Sequence, residues 1–167
     1  GNSRCGTGAV TLTATSSASV KWYTASSGGT SLHTGLTYTT PSISATTIYY
    51  AEANNGCVSA RIPVQAIVNP TPSAPLSSDV IRCGTGVVTL TAISSEQIYW
   101  FTSSSGVSPI SSGNSFTTPS LSSTTTYYVE TGDVCRSSRI PVQAIIASTL
   151  AAPVLTSGSH CGPGVVS

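Results

Sequence analysis

"RCGTGAVTLTA" at residues 4–14 returns as "RCGTGVVTLTA" at residues 82–92, and "HCGPGVVS" stands at residues 160–167. The interval is 78 residues each time. Sliding residues 4–69 onto 82–147 needs no gap and matches about 37 of 66 positions, which identifies an internal duplication. A period of 78 is too long for a solenoid unit, which cannot bury a core alone, and suits beads that fold separately. Residues 1–70 are therefore expected to form repeat 1, without its first strand. Residues 71–148 should form repeat 2, and 149–167 the first strand and start of the second strand of repeat 3. The boundaries fall at "VNPTPSAPLSS" (68–78) and "ASTLAAPVLTSGS" (147–159), where Pro and small residues cluster. Such short, Pro-stiffened linkers imply a semi-rigid string.

Within the quoted stretch Val10, Leu12 and Ala14 alternate with Thr11 and Thr13, and further on Val20, Trp22 and Thr24 alternate with Lys21 and Tyr23. A period of two marks half-buried strands. Ser and Thr occupy 56 of 167 positions and Met is absent, a composition that suits pleated surfaces and turns. Further strands are expected at 31–35, 36–41, 46–53 and 60–69, and no segment carries a helical period. Six or seven short strands in under 80 residues predict an all-β immunoglobulin-like or fibronectin-like sandwich. A turn centred on "NNGC" sets Glu52 opposite Arg61, and the copy sets Glu130 opposite Arg139. Cross-strand pairs of opposite charge contribute about 0.2–1 kcal/mol. Pro63 and Pro141 lack a backbone donor, so the last strand should lie at a sheet edge there.

Together "CGTGxVTLTA", a following "WY" or "WF", "TTP", "TTxYY" and "C-x-S-x-R" resemble the tandem immunoglobulin-like repeats of long cell-surface and gliding-motility adhesins of type-IX-secreting Bacteroidota. The resemblance implies export to the cell surface and a role as stalk or adhesive filament. On that reading the chain is a piece of a longer secreted protein, with neighbouring repeats as its nearest partners.

Charged residues make up 7% of the sequence and the net charge is +1, so no field for nucleic acid is present. No apolar run approaches the roughly 18 residues needed to cross a bilayer. Five cysteines lie at 5, 57, 83, 135 and 161 without the C-x-x-C spacing of a zinc or redox site, and read as disulfide formers in an oxidising compartment. Two pairings are open. Linking Cys5 to Cys57 and Cys83 to Cys135 would close each bead, and this is the expected arrangement. The alternative ties Cys5 to Cys135 of the next bead, because an ordinary sandwich sets Cys5 and Cys57 at opposite ends, about 20 Å apart for a six-residue strand. Cys161 is expected to find its partner outside the sequence.

Trp22, Trp100, Tyr49 and Tyr127 are assigned to the core, and their neighbours Tyr50 and Tyr128, on the opposite face, are the candidate ligand contacts. "CGTG" lacks the Lys-Ser or Lys-Thr of a phosphate loop and reads as a turn. Five scattered acids suit neither calcium nor any other metal. His33 becomes Ser111 in the copy, and His160 stands where Arg4 and Arg82 do, so no repeated nucleophile–base pair arises and no catalytic residue is assigned. Lys21, the single lysine, becomes Tyr99 in the copy, which excludes a repeated lysine crosslink. The Ser/Thr runs suit strand faces and turns, with O-linked sugar as a lesser reading. No cofactor is expected. The functional expectation is an extracellular spacer or adhesive stalk. The alternatives are a carbohydrate-binding module pair of a secreted polysaccharide-degrading enzyme, recognising surface glycans, and a self-associating filament subunit.

Overall fold

Alternating apolar residues from two sheets meet twice along the chain, once in each repeat. The computed structural model describes residues 2–155, so most of the segment assigned to repeat 3 lies outside the described residues. Repeat 1 comprises β1 (Ser3–Cys5), β2 (Thr11–Thr13), β3 (Ser19–Tyr23), β4 (His33–Thr34), β5 (Thr37–Thr39), β6 (Thr47–Asn54) and β7 (Ile62–Asn69). One sheet runs β1-β7-β6-β3-β4 and faces the β2–β5 pair. Repeat 2 comprises β8 (Leu76–Ser77), β9 (Val80–Cys83), β10 (Thr89–Ile93), β11 (Ile98–Phe101), β12 (Ser111–Ser112), β13 (Ser115–Thr117), β14 (Thr125–Thr131) and β15 (Ile140–Ala147). Its sheets run β12-β11-β14-β15-β9 and β13-β10-β8. The protein is an all-β tandem of immunoglobulin-like sandwiches.

The first strand of repeat 2 is split between the sheets. β8 pairs antiparallel with β10, and after a short break β9 pairs parallel with β15. Asp79, in the break, accepts the Gln143 backbone N–H at 2.7 Å. In repeat 1 the second piece is present as β1, parallel to β7, and among the described residues no strand of repeat 1 corresponds to β8. Pro63 and Pro141 lie opposite Tyr50 and Tyr128, in the stretch of the last strand that precedes its pairing with β1 or β9. Their missing N–H groups therefore face an open edge.

Trp22 and Trp100 are fully buried between the sheets, and Leu12, Val20, Leu90 and Ile98 close around them. Each indole N–H donates to the carbonyl of a turn glycine, Gly35 at 2.8 Å and Gly113 at 2.9 Å. A buried indole without such a partner would carry the cost of an unsatisfied donor. The "TTP" word has a comparable function. Buried Thr40 accepts the Val10 N–H and donates to the Pro41 carbonyl, and Thr118 does the same between Val88 and Pro119. In "RCGTG" the Arg4 guanidinium donates to the carbonyls of Gly6 and Ala9, each at 3.0 Å, and covers Gly8 so closely that an added Cβ would displace the guanidinium. Arg82 and Gly86 repeat that contact.

Candidate functional site at the junction between the repeats

The fold brings the far end of β1 against the β14–β15 loop, and there Cys5 is disulfide-bonded to Cys135 with Cα atoms 5.6 Å apart. Cys57 and Cys83 are unpaired and exposed. The expected pairings Cys5–Cys57 and Cys83–Cys135 are therefore corrected. The reason is the parallel register: Cys5 lies opposite Asn69, the last residue of β7, whereas Cys57 precedes the first. Eight residues at about 3.3 Å each separate the two ends by well over the ~7 Å a disulfide tolerates. Cys83 lies opposite Ala147 at the end of β15, and is separated from Cys135 in the same way.

Close contacts shape the junction around the staple. The Gly6 N–H donates to the Asn69 carbonyl at 2.9 Å, and a Cβ on Gly6 would meet the Thr71 hydroxyl. Gly132 adopts φ +108°, and a side chain there would collide with the Cys135 carbonyl and press on Pro72. Asn69, Pro70 and Pro72 of the linker line a recess with Asp133 and Cys135 of the loop. Cys135 itself is 4% exposed, so the staple is walled on the side of repeat 2.

The "C-x-S-x-R" word wires this loop to the sheet. Ser137 accepts the Thr131 N–H at 3.0 Å and donates to the Ser138 carbonyl, and Ser59 does the same for Ala53 and Ala60. Arg139 reaches Glu130 at 2.6 Å, and Arg61 reaches Glu52 at 3.2 Å. The guanidinium of Arg61 lies 3.4 Å from the Tyr23 ring centroid, and that of Arg139 lies 3.4 Å from the Phe101 centroid. Strand alternation alone turns Tyr23 outward, but the stacked arginine covers it and it is buried. The same arginines donate to the loop after β3 or β11, Arg61 to Ala25 and Gly28 and Arg139 to Ser103.

A second cluster belongs to repeat 2 only. Arg136 lies over the Tyr99 ring at 3.8 Å and approaches Glu130 at 3.6 Å, while the Tyr99 hydroxyl donates to Asp133 at 3.0 Å. That bond to Asp133 holds the Tyr99 phenol above its ordinary value. The corresponding residues of repeat 1 are Val58, Lys21 and Asn55, so the sequence comparison carried no repeated signal for this cluster.

Tyr49 and Tyr127 are core residues, edge-on to Tyr38 and Phe116 at 5.5 and 5.0 Å. Burial raises the phenol pKa of Tyr38 and Tyr127. Tyr50 and Tyr128 are half-buried beside the edge prolines. Tyr128 borders a shallow recess with Ser104, Glu130 and Arg139. His33 stacks near Tyr38, with ring centroids 6.1 Å apart. Among the described residues no three His, Cys, Asp or Glu side chains gather as metal ligands, and no helix is long and apolar enough to cross a membrane.

No curated protein sequence matches the chain. Among solved structures, the fibronectin(III)-like modules of Clostridium thermocellum CbhA align over 94% of this chain and 95% of theirs, at 15% identity and a TM-score of 0.51. A chimeric titin Z1Z2 tandem aligns over 87% of this chain and 94% of its own, at 16% identity and a TM-score of 0.37. The likeness to the CbhA modules is one of fold. The family described as "Ig-like domain CHU_C associated" matches twice, over residues 1–70 and 72–147. With both matched segments coinciding with the two sandwiches, the chain belongs to the CHU_C-associated Ig-like domain family.

Proposed function

We propose that this chain is a load-bearing spacer within a long extracellular surface protein, of the stalk or adhesive-filament kind that its resemblance to gliding-motility adhesin repeats implies. The observation that supports the reading is the staple between repeats. Cys5 and Cys135 are 130 positions apart, so the disulfide takes β2 through β14 out of the path of a force applied at the chain ends and leaves β15 in it. Disulfides persist in oxidising compartments, which accords with a location outside the cell. The nearly uncharged, hydroxyl-rich surface gives little purchase for nonspecific electrostatic association. The carbohydrate-binding alternative has less support. Trp22 and Trp100 are fully buried, and Tyr50 and Tyr128 are half-covered beside prolines.

Pulling single molecules by their ends tests the spacer. The oxidised protein should withhold roughly 450 Å of contour that appears after reduction, about 3.3–3.6 Å for each bridged residue. Full extension of the oxidised protein would overturn the reading. A glycan array would detect the alternative, through binding that Tyr50→Ala and Tyr128→Ala abolish.

A further inference from the structure

Five asparagines occur in the sequence, and the residue that follows each decides what its side-chain amide can undergo. An asparagine reacts with its own chain when the next backbone nitrogen reaches the side-chain carbonyl carbon, which needs a close and unhindered nitrogen. Asn69 precedes Pro70, whose nitrogen has no proton to give up. Asn2 and Asn114 precede Ser3 and Ser115, each the first residue of a strand, and Asn54 precedes the bulkier Asn55. Asn55 alone precedes a glycine.

The turn between β6 and β7 leaves that pair open. Asn55 and Gly56 lie outside any strand, and both are exposed. Gly56 has φ +108°, and an added Cβ there would meet nothing within 4 Å, so its nitrogen is free of crowding. The Cys57 N–H points at Asn55 Oδ1 from 3.5 Å. Negative charge develops on that oxygen as the nitrogen adds, and a donor aimed at it favours the addition. One restraint opposes the step: Asn54 Oδ1 accepts the Gly56 N–H at 2.9 Å. A single side-chain bond in an exposed turn belongs to the part of a fold that opens most readily. Exposure here is a property of the turn itself. Asp133 and Val134 hold the same places in repeat 2 and remain exposed, although that loop is stapled to repeat 1.

We propose that Asn55 is a site of spontaneous deamidation. Base removes the Gly56 amide proton, the nitrogen bonds to Asn55 Cγ, and the Cγ–Nδ2 bond breaks. Ammonia leaves with a proton, and a five-membered succinimide remains. Water then opens the ring. Cleavage between the nitrogen and Cγ gives aspartate, and cleavage at the main-chain carbonyl gives isoaspartate, whose backbone is longer by one methylene. One water is consumed, one ammonia is released, and nothing is oxidised or reduced. The new carboxylate cancels the formal net charge of +1. Repeat 2 already carries an acid at this place, since the Tyr99 hydroxyl donates to Asp133 at 3.0 Å. Lys21 stands where Tyr99 does, opposite Glu52 as Tyr99 is opposite Glu130. The product carboxylate of repeat 1 therefore has the single lysine of the chain as its counter-charge, and the turn changes with time from an uncharged one to a charged one.

The test uses the full chain with the Cys5–Cys135 bond intact, held at neutral and at mildly alkaline pH. Peptide mapping by mass spectrometry should find a gain of one mass unit at Asn55 about tenfold sooner than at Asn54 or Asn114, with aspartate and isoaspartate both present. The rate should rise with pH, because a proton must leave the Gly56 nitrogen. Asn55→Gln, which would need a six-membered ring, should remove the modification at this site with an unchanged circular dichroism spectrum. Gly56→Ala should slow it about tenfold. Unfolding in urea should speed reaction at Asn114, whereas Asn55 should react in the folded and unfolded protein at rates within about tenfold of each other. Equal rates at the three asparagines, an unslowed Gly56→Ala variant, or modification of Asn55 that waits for urea would overturn the proposal.

Discussion

Cys5 of repeat 1 is bonded to Cys135 of repeat 2 across 130 positions, so a single covalent loop encloses the linker and most of both sandwiches. In the chain-entropy treatment a loop of that size stabilises the folded state by about 5 kcal/mol. Dithiothreitol, or Cys5→Ser, should lower the melting temperature by more than about 10 °C, since 1 kcal/mol moves a small domain by about 4–8 °C. Cys57→Ser, at an unpaired exposed position, should leave it within about 2 °C. Scanning calorimetry in oxidised and reduced buffer reads both. An unchanged melting temperature on reduction would contradict the staple's role.

Gly132 combines positive φ with a tight approach to the Cys135 carbonyl and Pro72, so Gly132→Ala should cost about 2–4 kcal/mol through strain and displaced contacts. Gly28 also has positive φ but nothing within 4 Å of an added Cβ. Gly28→Ala should therefore cost only the backbone component, about 1 kcal/mol. Urea midpoints of the two variants compare the effects. Peptide mapping of Gly132→Ala should further show slower closure of Cys5 onto Cys135.

Arg139→Met would leave Glu130 with only the more distant Arg136 and uncover Phe101. Breaking a largely buried pair by removing one partner costs about 3–5 kcal/mol at full burial, and somewhat less here because both side chains keep slight exposure. Adding Glu130→Gln should recover a measurable part, because the stranded charge is removed. A double-mutant cycle from denaturant unfolding measures this coupling, and strict additivity would deny it.

Burial raises the Tyr127 phenol above its usual 10.0. The neutral form is the one favoured in the folded state, so its contribution is fully present below pH 10 and is lost as pH rises through the folded value. Tyr38 in repeat 1 behaves alike, through burial first and the charge of Tyr49 second. Alkaline titration followed by circular dichroism should therefore show loss of stability above pH 10. Tyr127→Phe and Tyr38→Phe should each shallow that decline.

Much of the sandwich was legible because strand faces obey a short local period. Val10, Leu12, Val20 and Trp22 announce their burial by alternation, and duplication at 78 residues shows which words matter. The hairpin register that sets Glu52 against Arg61 was legible for the same reason, since a turn of known length fixes every pair behind it. Tyr23 was not, because its cover is the Arg61 guanidinium, delivered by another strand. The Tyr99–Asp133–Arg136 cluster left no repeated mark to follow.

By itself, then, the sequence determined an all-β tandem with its cores, its turns and its cysteine positions, all properties of neighbours along the chain or across one hairpin. Tertiary structure decided which cysteines meet. Parallel pairing of β1 with β7 sends Cys5 to the end of repeat 1 remote from Cys57, and there it meets the β14–β15 loop of repeat 2, beside the linker residues Pro70 and Pro72. Disulfide partners are selected by a separation of a few ångströms in space, and spacing along the chain carries no record of it.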